Sequence, residues 1–246
     1  MLNSRQQKII TSVIEEYTNT AVPISSDILA KKYIQDMSPA TIRNDMIELE
    51  KKGYLHQPHI SSGRIPTDKC YRYFVEDIMK DKELSRSEQQ KLQSELLKLK
   101  AQHNRMSRTT AKLLSSLSGN LAISSLERDF SEFGIRELLD KPEFKEIDEF
   151  CKVAEALDYI DENVDTILRE LKAGETKIFI GDENPVKEIS NCSMVVAPYE
   201  NKKGEKGILA IIGPKRMKYA KNKSLLNYVR KLLSSSSVII IFVNFI

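Results

Sequence analysis

Ile9, Ile10, Val13, Ile14 and Tyr17 recur at helical spacing, which predicts an amphipathic helix over residues 5–17 with Ser4 as its N-cap. Pro23 interrupts the pattern. A second short helix runs through Ile28, Leu29 and Tyr33 behind Ser25 or Ser26, and a third opens at Ser38 and Pro39. Serine followed by proline is a strong start, because proline lacks only an amide that would be unpaired there anyway. Gly53 ends this helix. Residues 54–60 read as extended, 61–63 as a turn and 64–66 as its exit, after which Thr67 or Asp68 caps a fourth helix carrying Tyr71, Phe74, Val75 and Ile78. Helix, short helix, turn, helix and hairpin is the order of a winged helix-turn-helix.

A capping box at Ser85 and Glu88 starts a long helix. In it Leu92, Leu96, Leu99, His103, Met106, Thr110, Leu113 and Leu117 stand alternately four and three apart, a heptad seam that packs on its own chain or pairs with a second copy. Gly119 stops it. An acidic amphipathic helix is predicted over 148–171 from Phe150, Val153, Ala154, Leu157, Ile160, Val164, Ile167 and Leu168. Residues 178–180, 194–197 and 208–212 are strand-like, the last two joined by a polar turn at 201–204, and 224–233 reads as a final helix. The predicted fold is α+β: an N-terminal winged helix-turn-helix (1–80), a linking and dimerisation helix (81–118), and a second α+β domain (119–246). The tail at 238–246 is apolar and uncharged, with adding a strand, mediating oligomerisation and promoting aggregation all open to it.

Composition places the chain among folded proteins, with 41% apolar and 30% charged residues. Cys70, Cys151 and Cys192 form no CxxC pair, which fits a reducing, cytoplasmic setting and argues against a zinc cluster. The N-terminus turns polar at once, and no stretch approaches the ~20 apolar residues that span a bilayer, so neither a signal peptide nor a membrane partner is expected. The net charge of +3 hides segregation. Residues 51–73 carry +4, 127–170 carry −9 and 202–231 carry +9. The first patch suits a polyanion, and the other two are expected to pair within a chain or across a dimer.

With Ile42, Met46 and Leu49 facing the core, Thr41, Arg43 and Asn44 turn outward on the leading edge of the third helix. Arginine matches the two acceptors of guanine and asparagine the donor and acceptor of adenine, while Thr41 suits a phosphate or a thymine methyl. The competing expectation is a plain surface helix in which Arg43 pairs with Asp45 or Glu50. Gly63 is expected to allow a tight turn, with Arg64 at its tip reaching a minor groove. His56 and His59 point to opposite faces of a strand with no third ligand nearby, so His59 is assigned to phosphate or solvent rather than a metal. Lys69 and Arg72 are expected to grip the backbone. Enzymatic signatures are missing: there is no phosphate-binding glycine loop, GxSxG elbow or HExxH, Cys70 sits in an apolar helical pattern, and Gly181 to Pro185 reads as a turn. No catalytic residue, metal or cofactor is expected.

The strings LNSRQQKI at 2–9, SPATIRNDM at 38–46, GYL at 53–55, QPH at 57–59 and SGRIPTDKCYR at 62–72 closely resemble the HrcA family of heat-inducible transcription repressors. SGNLA at 118–122, YIDEN at 159–163, IGDEN at 180–184, CSMVV at 192–196 and GILAIIGPKRM at 207–217 resemble that family's GAF-like domain and closing segment. Family chains are usually longer; here the strand after Leu121 passes within a few residues to Phe130, Ser131 and Glu132, so the second domain is a reduced GAF-like one. The resemblance implies a repressor that binds the inverted repeat CIRCE ahead of chaperone operons as a homodimer, is released by heat, and is restored with help from the GroEL chaperonin. The expected DNA-binding set is Ser38, Thr41, Arg43, Asn44, His59, Ser62, Gly63, Arg64, Lys69 and Arg72. A GAF-like domain that senses a small molecule is the alternative route of control.

Overall fold

The structure is a computed structural model and describes residues 2–100, 106–127, 129–201 and 203–234. It divides into two compact units, Met1–Lys80 with Lys215–Met217, and Asp81–Pro214 with Lys218–Ile246.

The N-terminal unit begins with α1 (Ser4–Thr20), α2 (Ser26–Lys32) and α3 (Pro39–Lys51). The cap of α1 is Asn3 rather than Ser4, its side chain accepting from the Gln6 amide at 2.8 Å. Ser25 caps α2, and Ser38 caps α3, accepting from the Thr41 amide at 3.1 Å with Pro39 following. Gly53, at φ 77, turns the chain out of α3 in the left-handed region that other residues resist. A hairpin of β1 (Leu55–His56) and β2 (Ile65–Pro66) follows, in the register Leu55 to Pro66 and His56 to Ile65. Ile24 adds a third rung, exchanging both backbone hydrogen bonds with Arg64 at 2.9 Å. Thr67 then caps α4 (Asp68–Tyr73), which passes into a single π-turn at Phe74–Ile78. Ile9, Ile10, Val13, Leu29, Ile42, Met46, Leu49, Cys70 and Tyr71 are buried in this unit.

The C-terminal unit holds an antiparallel sheet of β3 (Leu121–Leu126), β4 (Asp129–Phe133), β5 (Lys177–Ile180), β6 (Cys192–Glu200) and β7 (Lys206–Pro214), ordered β4-β3-β7-β6-β5. Its helices are α5 (Arg86–Lys100), α6 (Met106–Ser118), α7 (Ile135–Leu139), α8 (Ile147–Glu162), α9 (Val164–Arg169) and α10 (Tyr219–Ser234). Val153, Ala156, Leu157 and Ile160 of α8 and Ile167 of α9 share one core with Ile123, Met194, Val196, Ile208, Ala210 and Ile212. The alternate residues of β3 and β6 serve the face packed by α6 and α10. With both faces covered, β7 is buried from Gly207 to Pro214, which is why it reads as a continuous apolar run.

Two expectations need correcting. The single helix of the heptad seam is two helices, α5 and α6, packed on each other, with residues 101–105, and so His103, outside the described residues. Leu92, Leu96 and Leu113 are buried within this chain, as the first of the two readings held. The acidic helix likewise breaks at Asn163 into α8 and α9. Among the described residues Lys215 pairs with Asp68, Lys221 with Glu88 and Lys223 with Asp81, Lys152 with Glu149 and Arg136 with Asp140, while Glu127 and Lys206 of the acidic and basic segments meet through backbone and side-chain hydrogen bonds. The tail at 238–246 lies outside the described residues.

Where family resemblance leads one to expect more chain, β3 returns into β4 through two residues. Leu126 pairs with Asp129, and Glu127 takes φ 52 to close the turn. The IGDEN segment is a structural knot: buried Asn184 donates from Nδ2 to the carbonyls of Gly181, Ile189 and Cys192 at 2.8, 3.2 and 3.0 Å.

Candidate nucleic-acid interface

The inner side of α3 is anchored firmly. Ile42, Met46 and Leu49 are buried, and Asp45, 2% exposed, is held by Arg5 at 2.7 Å. Gln6 donates to Glu48 at 3.0 Å and accepts from Lys52 Nζ at 3.2 Å. Behind this, Glu16 accepts from Lys32 Nζ at 2.6 Å and from the Tyr33 hydroxyl at 2.7 Å, tying α1 to α2. These two hydrogen bonds lower the carboxyl of Glu16 below its ordinary value, and the bond to Glu16 pushes the Tyr33 phenol up to about 12.

The outer edge is left open. Ser38, Arg43 and Asn44 are exposed and Thr41 is half-buried, its hydroxyl 2.9 Å from that of Ser38. The acids able to neutralise Arg43 are engaged elsewhere, Asp45 by Arg5 and Glu50 by Arg64. Neither Arg43 nor Asn44 makes a side-chain hydrogen bond or ion pair among the described residues. An exposed guanidinium and an exposed carboxamide in the first turns of a helix, with their bonding capacity unspent, are equipped to meet base edges.

The hairpin differs from expectation. Arg64 is at the base of the wing, not its tip: its backbone pairs with Ile24, and its side chain, 11% exposed, donates from Nε and Nη2 to Glu50 at 3.0 Å. Gly63 serves close approach rather than a special turn, since a Cβ there would meet the Ile24 backbone at 2.4–2.6 Å. The actual tip is His59, Ile60 and Ser61, all exposed. Ser62 closes it, its Oγ accepting from the His59 amide at 3.0 Å and donating to the His59 carbonyl at 2.7 Å. Lys69 is exposed but directed, donating to the Lys52 carbonyl at 2.8 Å and lying 4.7 Å from the Tyr54 ring centroid. Arg72 is half-buried and 3.6 Å from Glu76. The structure thus leaves Ser38, Arg43 and Asn44 exposed and Thr41 half-buried in the first turns of α3, sets His59 and Ser62 in the loop, and withdraws Gly63 and Arg64 into the scaffold. Gln57, which donates to the carbonyls of Ile60 and Ser62 at 3.0 and 2.8 Å, escaped the sequence reading because nothing local marks an amide that folds back over a loop.

Burial pushes the Cys70 thiol far up, keeping it protonated. No cluster among the described residues could hold a metal ion, and no helix among them is long and apolar enough to cross a membrane.

Comparison with known proteins agrees with the resemblance. The chain is 27% identical over 335 aligned residues to the heat-inducible transcription repressor HrcA of Carboxydothermus hydrogenoformans, covering 95% of this chain and 98% of the relative. That alignment is longer than the chain, so the relative carries residues without a counterpart here. Identity is 42% over 122 residues to the protein of the same name from Pelotomaculum thermopropionicum, covering 50% of this chain and 35% of the relative. A crystal structure described only as a hypothetical protein shares the fold at TM-score 0.70 and 19% identity, over 96% of this chain and 99% of that one. The family described as HrcA protein C terminal domain matches residues 37–222, three-quarters of the chain, which therefore belongs to the HrcA family.

Proposed function

We propose that the N-terminal unit is a winged helix that reads duplex DNA, and that the chain is a heat-released repressor acting as a dimer on the inverted repeat CIRCE ahead of chaperone operons. The observation that carries this is the unspent pair Arg43 and Asn44 on the open edge of α3, while every neighbouring acid is engaged. Two copies related by a two-fold axis suit an inverted repeat, whose half-sites on one face of the duplex lie an integral number of ~34 Å turns apart. Ser38 and Thr41 approach the backbone beside them, with His59, Ser62, Lys69 and Arg72 as further phosphate contacts and Gly63 and Arg64 holding the loop that carries two of them. The C-terminal unit is a reduced GAF-like domain for dimerisation and control, the GroEL chaperonin is the partner that restores the binding form, and the protein works in the cytoplasm.

Titration of the inverted repeat and of an unrelated duplex tests this. Asn44→Ala is expected to cost about 1–3 kcal/mol on the repeat and almost nothing on the unrelated DNA. Equal losses on both would remove base reading. Sedimentation of the complex should give two chains per repeat.

One feature favours the ligand-controlled variant. An open cleft of about 1160 Å³ in the C-terminal unit is lined by Leu168, Leu171 and Tyr199 and by groups of both charges, among them Arg169 and Lys206 with Asp165 and Glu200. A metabolite screen that leaves the melting temperature unchanged argues against it.

A further inference from the structure

The tip of the β1–β2 loop carries an exposed aliphatic side chain, Ile60. Ile60 is 100% exposed, whereas Val22 and Tyr159, the other large apolar side chains standing out among the described residues, reach 57% and 40%. Isolated surface leucines and isoleucines are ordinary, but this one crowns a fastened loop. Gln57 Nε2 donates to the Ile60 and Ser62 carbonyls, the Ser62 amide donates to the His59 carbonyl at 2.9 Å, and the Ser62 hydroxyl bonds both backbone groups of His59. The loop's polar groups are turned inward to one another, and its apolar apex is held out in water. Residues 51–67 contain no aspartate or glutamate, so the whole stretch can approach a polyanion without repulsion. Lys51 and Lys52 are exposed on the same stretch.

A stiff, acid-free loop with one aliphatic side chain at its apex suits the minor groove, where such side chains enter between base pairs and kink the duplex. We propose that Ile60 is an apolar wedge that enters the minor groove of the bound DNA and partly unstacks a base step, bending the duplex. This rests on the DNA-reading role of the N-terminal unit and adds a contact of a different kind: α3 reads base edges, and Ile60 reads how easily a step opens. Pyrimidine–purine steps, which unstack most readily, are its expected sites.

The test uses the full chain and an inverted-repeat duplex labelled at both ends, with affinity from titration and bend from energy transfer between the ends. Ile60→Ser is expected to weaken binding about tenfold and lengthen the end-to-end distance, while Ile60→Leu restores both. Both variants should melt with the wild type. Ile60→Ser matching the wild type in affinity and bend overturns the wedge. So does an unchanged bend together with loss of wild-type pelleting on phosphatidylserine–phosphatidylcholine vesicles, which would move Ile60 to a lipid surface. Asn44→Ala in the same series separates the two readings: lost preference for the repeat in that variant with an unaltered Ile60→Ser removes only the wedge. A wild type indifferent to the repeat removes both.

Discussion

Arg43 and Arg64 carry the same charge in the same unit, and their neighbours give them opposite uses. Arg64 is enclosed at 11% exposure and holds Glu50, so Arg64→Ala should lower stability by about 1–3 kcal/mol in thermal melts and reach DNA binding only through the fold. Gly63→Ala forces a methyl group into the Ile24 backbone, which has no flexible end to yield, and should cost about 1–3 kcal/mol by the same measurement. Tyr33→Phe removes a hydrogen bond to a charged carboxylate and should cost about 1.5–3 kcal/mol. These positions differ greatly in legibility. The leading edge of α3 could be read in advance because a serine, a proline and three apolar residues fix its rotation locally. The place of Arg64 could not, because it depends on Glu50 fourteen residues back and on a backbone pairing with Ile24.

Elements with local signals were legible in kind and place, though the strand read at 194–197 extends to Cys192–Glu200 and the helix read at 224–233 begins at Tyr219. Caps at Ser25, Ser38, Thr67 and Ser85 start their helices as the side-chain chemistry requires, and the continuous apolar runs of β6 and β7 mark strands covered on both faces. The division of the heptad seam into α5 and α6 was not, since the apolar spacing runs on unbroken through the boundary. At the start of α5, hydrogen bonds from Ser85, with help from Lys221, hold the Glu88 carboxyl at about 2 against an ordinary 4.5. A depressed folded-state value means stabilisation that is complete above 4.5 and fades as pH falls toward 2. Glu88→Gln should therefore be less stable than the wild type at neutral pH, with the gap closing through that acid window in denaturant titrations.

For the molecule as a whole, the charges of the C-terminal unit that reach solvent contribute little to cohesion. The ion pairs Lys221–Glu88 and Lys223–Asp81 are partly exposed, and such pairs contribute about 0–1 kcal/mol each. Raising salt from about 50 to 200 mM should accordingly leave the melting temperature almost unmoved, yet weaken operator binding on the order of 10³-fold if about six phosphates are neutralised. Parallel slopes in the two measurements would contradict a phosphate-binding role for the basic stretch.

Lys215–Met217 belongs to the N-terminal unit although the chain delivers it from the far end of β7. Lys215 holds Asp68 at 2.7 Å, and Arg216 donates to the Thr18 carbonyl in the last turn of α1 at 3.1 Å, where a cation offsets the negative end of the helix. The N-terminal unit is therefore not one uninterrupted stretch of gene. A polypeptide stopped after Lys80 leaves α1 and α4 each short of a cation that arrives more than a hundred residues later, so recombination or proteolysis cannot lift this half out whole.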